Sequence, residues 1–160
     1  MAFNQTERIE SMPIQDLLEQ NRRNATRIES TRSVEEGINL MMEKDLSALI
    51  VMEDDRPVGI FTERDVLLSH VRFEQKPFSA IKLKSAMTKR MIVAKPEDDI
   101  DSTICLMIQS GIRHIPVVEK GEITSVFNIC DLAHQQVGNL STDLHYLEEY
   151  LADLHEAGRD

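Results

Sequence analysis

The sequence predicts an α/β chain of the mixed α+β type, built from one β-α-β-β-α unit used twice. Two observations carry this. Displaced by 66 residues, the stretch 25–72 lies over 91–138 without a gap, with eight identities that include Met41/Met107, Phe61/Phe127 and Asp65/Asp131. Between them fall apolar pairs such as Val34/Ile100, Leu49/Ile115 and Ile60/Val126. The ungapped register marks an internal duplication. The second observation is bulk composition. With 160 residues, 41% hydrophobic and 29% charged, the chain can bury one compact domain or two small repeats that cover each other.

Each copy opens with a short extended piece, Thr26 to Ile28 and Ile92 to Ala94. In the second copy Lys95-Pro96 follows, and Pro96 turns Lys95 away from helix. A helix comes next, Ser33 to Lys44 and Asp99 to Ser110. Its core positions are Val34, Ile38, Met41 and Met42, repeated as Ile100, Ile104, Met107 and Ile108. Acids in the first turns, Glu35, Glu36, Asp99 and Asp101, complement the helix dipole. The unbroken apolar runs Ala48 to Met52 and Ile115 to Val118 suit strands buried on both faces. Short turns at 53–56 and 119–122 imply antiparallel hairpins, returning along Val58 to Phe61 and Ile123 to Phe127. A second helix starts at Thr62 and at Asn128.

The ends stand apart from the repeat. An amphipathic lead-in carries Ile9, Met12, Leu17 and Leu18, and the join from Phe73 to Ser85 contains Pro77. After Gly138, Leu140, Leu144, Leu147, Leu151 and Leu154 repeat at 4-3-4-3 spacing and predict an amphipathic C-terminal helix, capped at Ser141 and stopped at Gly158.

Charge and composition narrow the function. A net charge of −10 disfavours a general nucleic-acid binder. There is no apolar run long enough to span a membrane. Glu7, Arg8 and Glu10 stand where a signal peptide needs an apolar core, so a cytoplasmic location is expected. Cys105 and Cys130 make no metal or disulfide framework and are expected to be buried thiols. His134, His145 and His155 lack metal-ligand spacing. No paired acid, base or nucleophile stands out, so an enzyme is not expected.

The residues that could carry chemistry lie where the return strand enters the second helix. Thr62 and Asn128 are good N-cap residues, and Asp65 and Asp131 three positions on complete capping boxes. The same turn can serve a ligand. Free N–H groups at a helix start hold an anion, and a carboxylate one turn in can accept both hydroxyls of a cis-diol. Cap and ligand site are compatible, and both readings stand.

The run Gly59-Ile60-Phe61-Thr62-Glu63-Arg64-Asp65 resembles the signature that closes a CBS motif, the small repeat named after cystathionine β-synthase. Arg113-His114-Ile115-Pro116-Val117-Val118 is similar to that family's central strand. The resemblance implies a tandem CBS pair, or Bateman module, with sheets packed about a pseudo-twofold axis and two clefts. It divides the chain into a lead-in (1–13), motif 1 (14–72), a linker (73–80), motif 2 (81–138) and the C-terminal helix (139–160). It further implies a stand-alone regulatory protein that binds AMP, ADP, ATP or S-adenosylmethionine as a regulatory ligand, requires no cofactor, and modulates an unidentified protein partner. By the same resemblance Asp65 holds ribose hydroxyls, Thr62 and Arg64 contact phosphate, and Thr26, Ile28 and Ala48 flank the base. In the second copy Asp131 survives, while Asn128, Cys130 and Ser125 replace the Thr, Arg and Gly of the first. That second site, bordered by His114, is expected to be degraded. A homodimer through the CBS helices and the C-terminal helix is expected, with neither nucleic acid nor membrane as partner. The alternative is an assembly module with vestigial clefts.

Overall fold

The computed structural model describes residues 12–137. Its elements run α1 (Ile14–Gln20), β1 (Arg27–Glu29), α2 (Val34–Glu43), β2 (Ala48–Glu53), β3 (Arg56–Thr62), α3 (Glu63–Arg72), a 3-10 turn (Phe78–Ala80), α4 (Leu83–Ala86), α5 (Ile100–Ser110), β4 (His114–Glu119) and β5 (Glu122–Asn128). A further helix, α6, covers 129–137 of the described residues. This is the duplicated unit that the apolar pattern predicts. The second copy's opening strand is reduced to one parallel bridge, Ala94 to Val117, beside a β1 that pairs with β2 over three residues. Pro96 follows closely and cannot donate to a ladder.

Both hairpins turn on two residues with positive φ, Asp54 and Asp55 in one, Lys120 and Gly121 in the other, the twist that closes a two-residue antiparallel loop. The duplication extends to the irregularities. Each hairpin slips register at the same place, Val51/Met52 and Val117/Val118. Capping is local and strong. Ser33 and Glu36 form a reciprocal box at α2, and Asp99 accepts from the Ser102 N–H at α5.

The two halves exchange their lead-ins. Helix α1 buries Ile14, Leu17 and Leu18 in the core of the second repeat, with Ile100, Met107, Ile115, Phe127 and Leu132. Ile81, Leu83, Ala86 and Met87, at the start of the segment 81–138, complete the core of the first repeat around Val34, Leu49 and Phe61. Sheet edges follow the same rule. Thr88 bridges to Ile60 on β3, and Asn24 bridges to Ser125 on β5. Phe73 and Phe78 of the intervening segment also pack against the core of the first repeat. A third layer, Ala48, Ile50, Met52, Ile60 and Ile123, lies between the sheets. The β2 run is therefore buried on both faces, as its unbroken apolar sequence requires.

Two expectations need correction. Cys105 and Cys130 are exposed, because they fall on the outer faces of α5 and α6. Met42 and Ile108 are 77% and 64% exposed, because Val34 and Met41, and Ile100 and Met107, already fill the faces of α2 and α5 turned to their cores. The proposed seam from Leu140 to Leu154, with Ser141 and Gly158, lies outside the described residues, as does Ile9. Among the described residues no helix is long and apolar enough to cross a membrane.

Candidate functional site

Helix α3 begins at Thr62, whose N–H donates to Asp65 Oδ2 at 2.8 Å and whose hydroxyl donates to the same oxygen at 3.0 Å. The other carboxylate oxygen, Oδ1, accepts from the Thr88 hydroxyl at 2.9 Å. Asp65 is buried, 4% exposed, yet every donor on its side chain is neutral. Thr88 reaches it because the strand opposite has no side chain at Gly59. A Cβ there would stand 2.6 Å from Met87 Sδ and 2.8 Å from the Thr88 carbonyl oxygen. Gly59 thus permits the close backbone approach that glycine inside a strand commonly marks.

Above Asp65 opens a cavity of about 790 Å³. Thr62, Arg64 and Asp65 form one wall, and Gly111, Arg113 and His114 of the second repeat form the other. Leu67 and Ile108 line its apolar side, and the Arg64 guanidinium donates to the Gly111 carbonyl at 3.2 Å across it. The resulting chamber offers a cation, an apolar wall and an anionic acceptor.

The second cleft holds about 230 Å³. Here Asn128 and Asp131 cap α6 reciprocally. The Asn128 N–H donates to Asp131 Oδ2 at 2.9 Å, and the Asp131 N–H donates to Asn128 Oδ1 at 2.8 Å. Arg23 binds Asp131 Oδ1 at 3.1 Å. Thr26 and Ala48 line this cleft, not the one at Asp65. That corrects the grouping expected from the sequence, and the reason is architectural. Each cleft joins the second-helix start of one repeat to the α–β connection of the other. The connection 45–48 therefore faces Asn128, and 111–114 faces Thr62. Ile28 lies in neither. It borders a separate groove along α2 with Arg32, Glu36 and Leu40.

His114 lines both clefts and shares a 2.7 Å hydrogen bond with Ser47 between its Nε2 and the hydroxyl. Burial holds its pKa below the ordinary 6.5, against the upward pull of Glu63, Asp131 and Asp65, while Arg113 adds to the lowering. Among the described residues no cluster of three or more His, Cys, Asp or Glu side chains could hold a metal ion.

Thr88, Arg23 and Ser47 escape the reading by motif. Only Gly59 leaves a trace of them in the sequence, as a glycine inside a strand.

A family model described as CBS domain matches residues 11–71 and 83–138. The CBS domain-containing protein YhcV of Bacillus subtilis is 26% identical over 117 residues, covering 71% of this chain and 80% of that protein. An uncharacterized 33.4 kDa protein of Thermofilum pendens is 32% identical over 133 residues, covering 81% of this chain. The chain spans 39% of that relative's length and 44% of a Methanopyrus kandleri relative's. A crystal structure of a CBS domain superposes with a TM-score of 0.74 at 26% identity, covering 80% of this chain and 99% of that one. A CBS domain pair solved with 5′-methylthioadenosine and S-adenosyl-L-methionine has a TM-score of 0.70 at 18% identity, covering 81% and 98%.

Proposed function

Since this chain belongs to the CBS-domain family, we propose that it is a regulatory module whose larger cleft binds an adenosine-containing ligand and whose occupancy modulates a partner protein. One observation carries this reading. Asp65 is a buried carboxylate, at a helix start and on the floor of a cavity of about 790 Å³, bonded only to neutral donors. Ribose hydroxyls are donors of the same kind, so a nucleoside exchanges with the Thr88 hydroxyl at no cost in net charge. The Arg64 guanidinium suits a phosphate, and Leu67 and Ile108 suit the face of a base. The CBS pair solved with S-adenosylmethionine supports the ligand class by analogy of fold.

The test is calorimetric titration of the full chain with AMP, ADP, ATP and S-adenosylmethionine. Asp65→Ala, folded by circular dichroism, should weaken the bound ligand by about 2–3 kcal/mol, the scale of hydrogen bonds to a charged group. Thr62→Ala should weaken a phosphorylated ligand more than adenosine. Binding of none of the four, or unchanged affinity in Asp65→Ala, overturns the proposal.

A second reading, self-association, rests on its own observation. Met42, Leu67, Val71 and Ile108 are 77%, 71%, 67% and 64% exposed on helices α2, α3 and α5. Such apolar helix faces suit burial in a homodimer; Leu67 and Ile108 also line the larger cleft, so the two readings share part of one surface.

A further inference from the structure

The small cleft looks degraded by motif, yet its frame is whole. The reciprocal Asn128–Asp131 cap is closed at 2.9 and 2.8 Å, and Asp131 stands where Asp65 stands in the first repeat. What differs is the third partner. In the first cleft the crossing lead-in supplies a neutral hydroxyl, Thr88. In the second it supplies a guanidinium, that of Arg23, at 3.1 Å. Asp131 is nearly buried while the Arg23 side chain is 49% exposed, so the cation lies over the carboxylate from the solvent side.

We infer that Arg23 is a specificity-determining residue that closes the second cleft by occupying the acceptor a nucleoside diol would need, and that this cleft is otherwise a latent nucleoside site. The inference rests on the proposed function for the class of ligand. A diol entering here must displace an ion pair, and it offers no charge in return. The difference in space agrees, about 230 Å³ against about 790 Å³. The backbone that carries Arg23 does not depend on its side chain, because the Arg23 carbonyl accepts from the Val126 N–H at 3.2 Å. Arg23→Ala therefore leaves the edge pairing in place.

The experiment is titration of AMP into the full-length wild type, Arg23→Ala, and Arg23→Ala/Asp131→Ala, each checked for native circular dichroism. The expected stoichiometries are one, two and one per chain. One site in the wild type and still only one in Arg23→Ala overturns the inference and leaves the reading of the larger cleft intact. Two sites in the wild type, or two in the double variant, also overturn it. No site in the wild type, with one in Arg23→Ala and none in the double variant, supports the inference and overturns the larger cleft as the ligand site. No binding by any of the three overturns both.

Discussion

Replacing Gly59 by alanine adds one methyl group and should destabilise the chain by about 2.5–5 kcal/mol. The new Cβ meets Met87 Sδ at 2.6 Å and the Thr88 carbonyl oxygen at 2.8 Å. The thioether can swing away, but the carbonyl is backbone and can only retreat with its strand. That strand is held to β3 by two hydrogen bonds, Ile60 N–H to Thr88 O and Thr88 N–H to Ile60 O, both 2.9 Å. It also delivers the Thr88 hydroxyl to Asp65. Three hydrogen bonds at about 0.5–1 kcal/mol each, since Thr88 is exposed and its freed groups find water, give about 1.5–3 kcal/mol. Residual overpacking against Met87 adds about 1–2 kcal/mol. Urea unfolding followed by circular dichroism measures the sum. The matched control is Ser125→Ala, at the same place in the other repeat. Ser125 already carries a Cβ, is 0% exposed, and its hydroxyl has no partner among the described residues, so this change should be neutral or stabilise by up to about 1 kcal/mol. Measured against Met87→Ala alone, so that the lost core packing of Met87 cancels, the Gly59→Ala change should be milder by only the overpacking. A loss below about 1 kcal/mol in Gly59→Ala, or no further loss when Gly59→Ala is added to Met87→Ala, refutes the claim that backbone approach sets the requirement.

Two further outcomes follow from the same geometry. Burial keeps folded His114 neutral where the unfolded imidazole, with its ordinary pKa of 6.5, begins to take a proton. The unfolded state then binds more protons, so the His114 contribution is complete above the unfolded pKa and is lost as pH falls below it. His114→Gln, which keeps a hydrogen-bonding group for Ser47, should flatten this part of a urea-midpoint series, and identical slopes in the two proteins would refute the assignment. In analytical ultracentrifugation at tens of micromolar the wild type should sediment as a dimer, and Met42→Glu/Ile108→Glu as a monomer; a monomeric wild type rules out self-association.

The repeat was legible because its buried positions recur at one spacing. Phe61 and Phe127, Leu49 and Ile115, Val51 and Val117 occupy matching places in two cores, and hydrophobic periodicity reports such places directly. Thr62 and Asp65 were legible because a cap is local, spanning three residues. The exchange of lead-ins was not, since the apolar face of Ile14, Leu17 and Leu18 would fit either core. For the same reason Thr26 and Ala48 read as companions of Asp65 but face Asp131: a motif is read within one repeat, whereas each cleft is assembled across two. Thr88 lies 23 residues beyond Asp65, and no local pattern ties a hydroxyl to a carboxylate at that distance. Helical spacing identified the stripe containing Met42 and Ile108 but not its width, which depends on what packs against it.

The crossed lead-ins also impose an order on synthesis. Ile14 leaves the ribosome early, yet its N–H donates to the carbonyl of Asp98, and its apolar neighbours include Leu132. At ordinary rates of about 5–20 residues per second, the intervening chain takes on the order of ten seconds to emerge. During that interval α1 has no core of its own to enter, while the first repeat waits for Leu83 to close the other side. Neither half can finish before the second is under way. The nascent chain must therefore carry apolar helix surface until late in translation, and a ribosome stalled between Phe73 and Ile81 leaves two incomplete cores, not one finished domain and a tail.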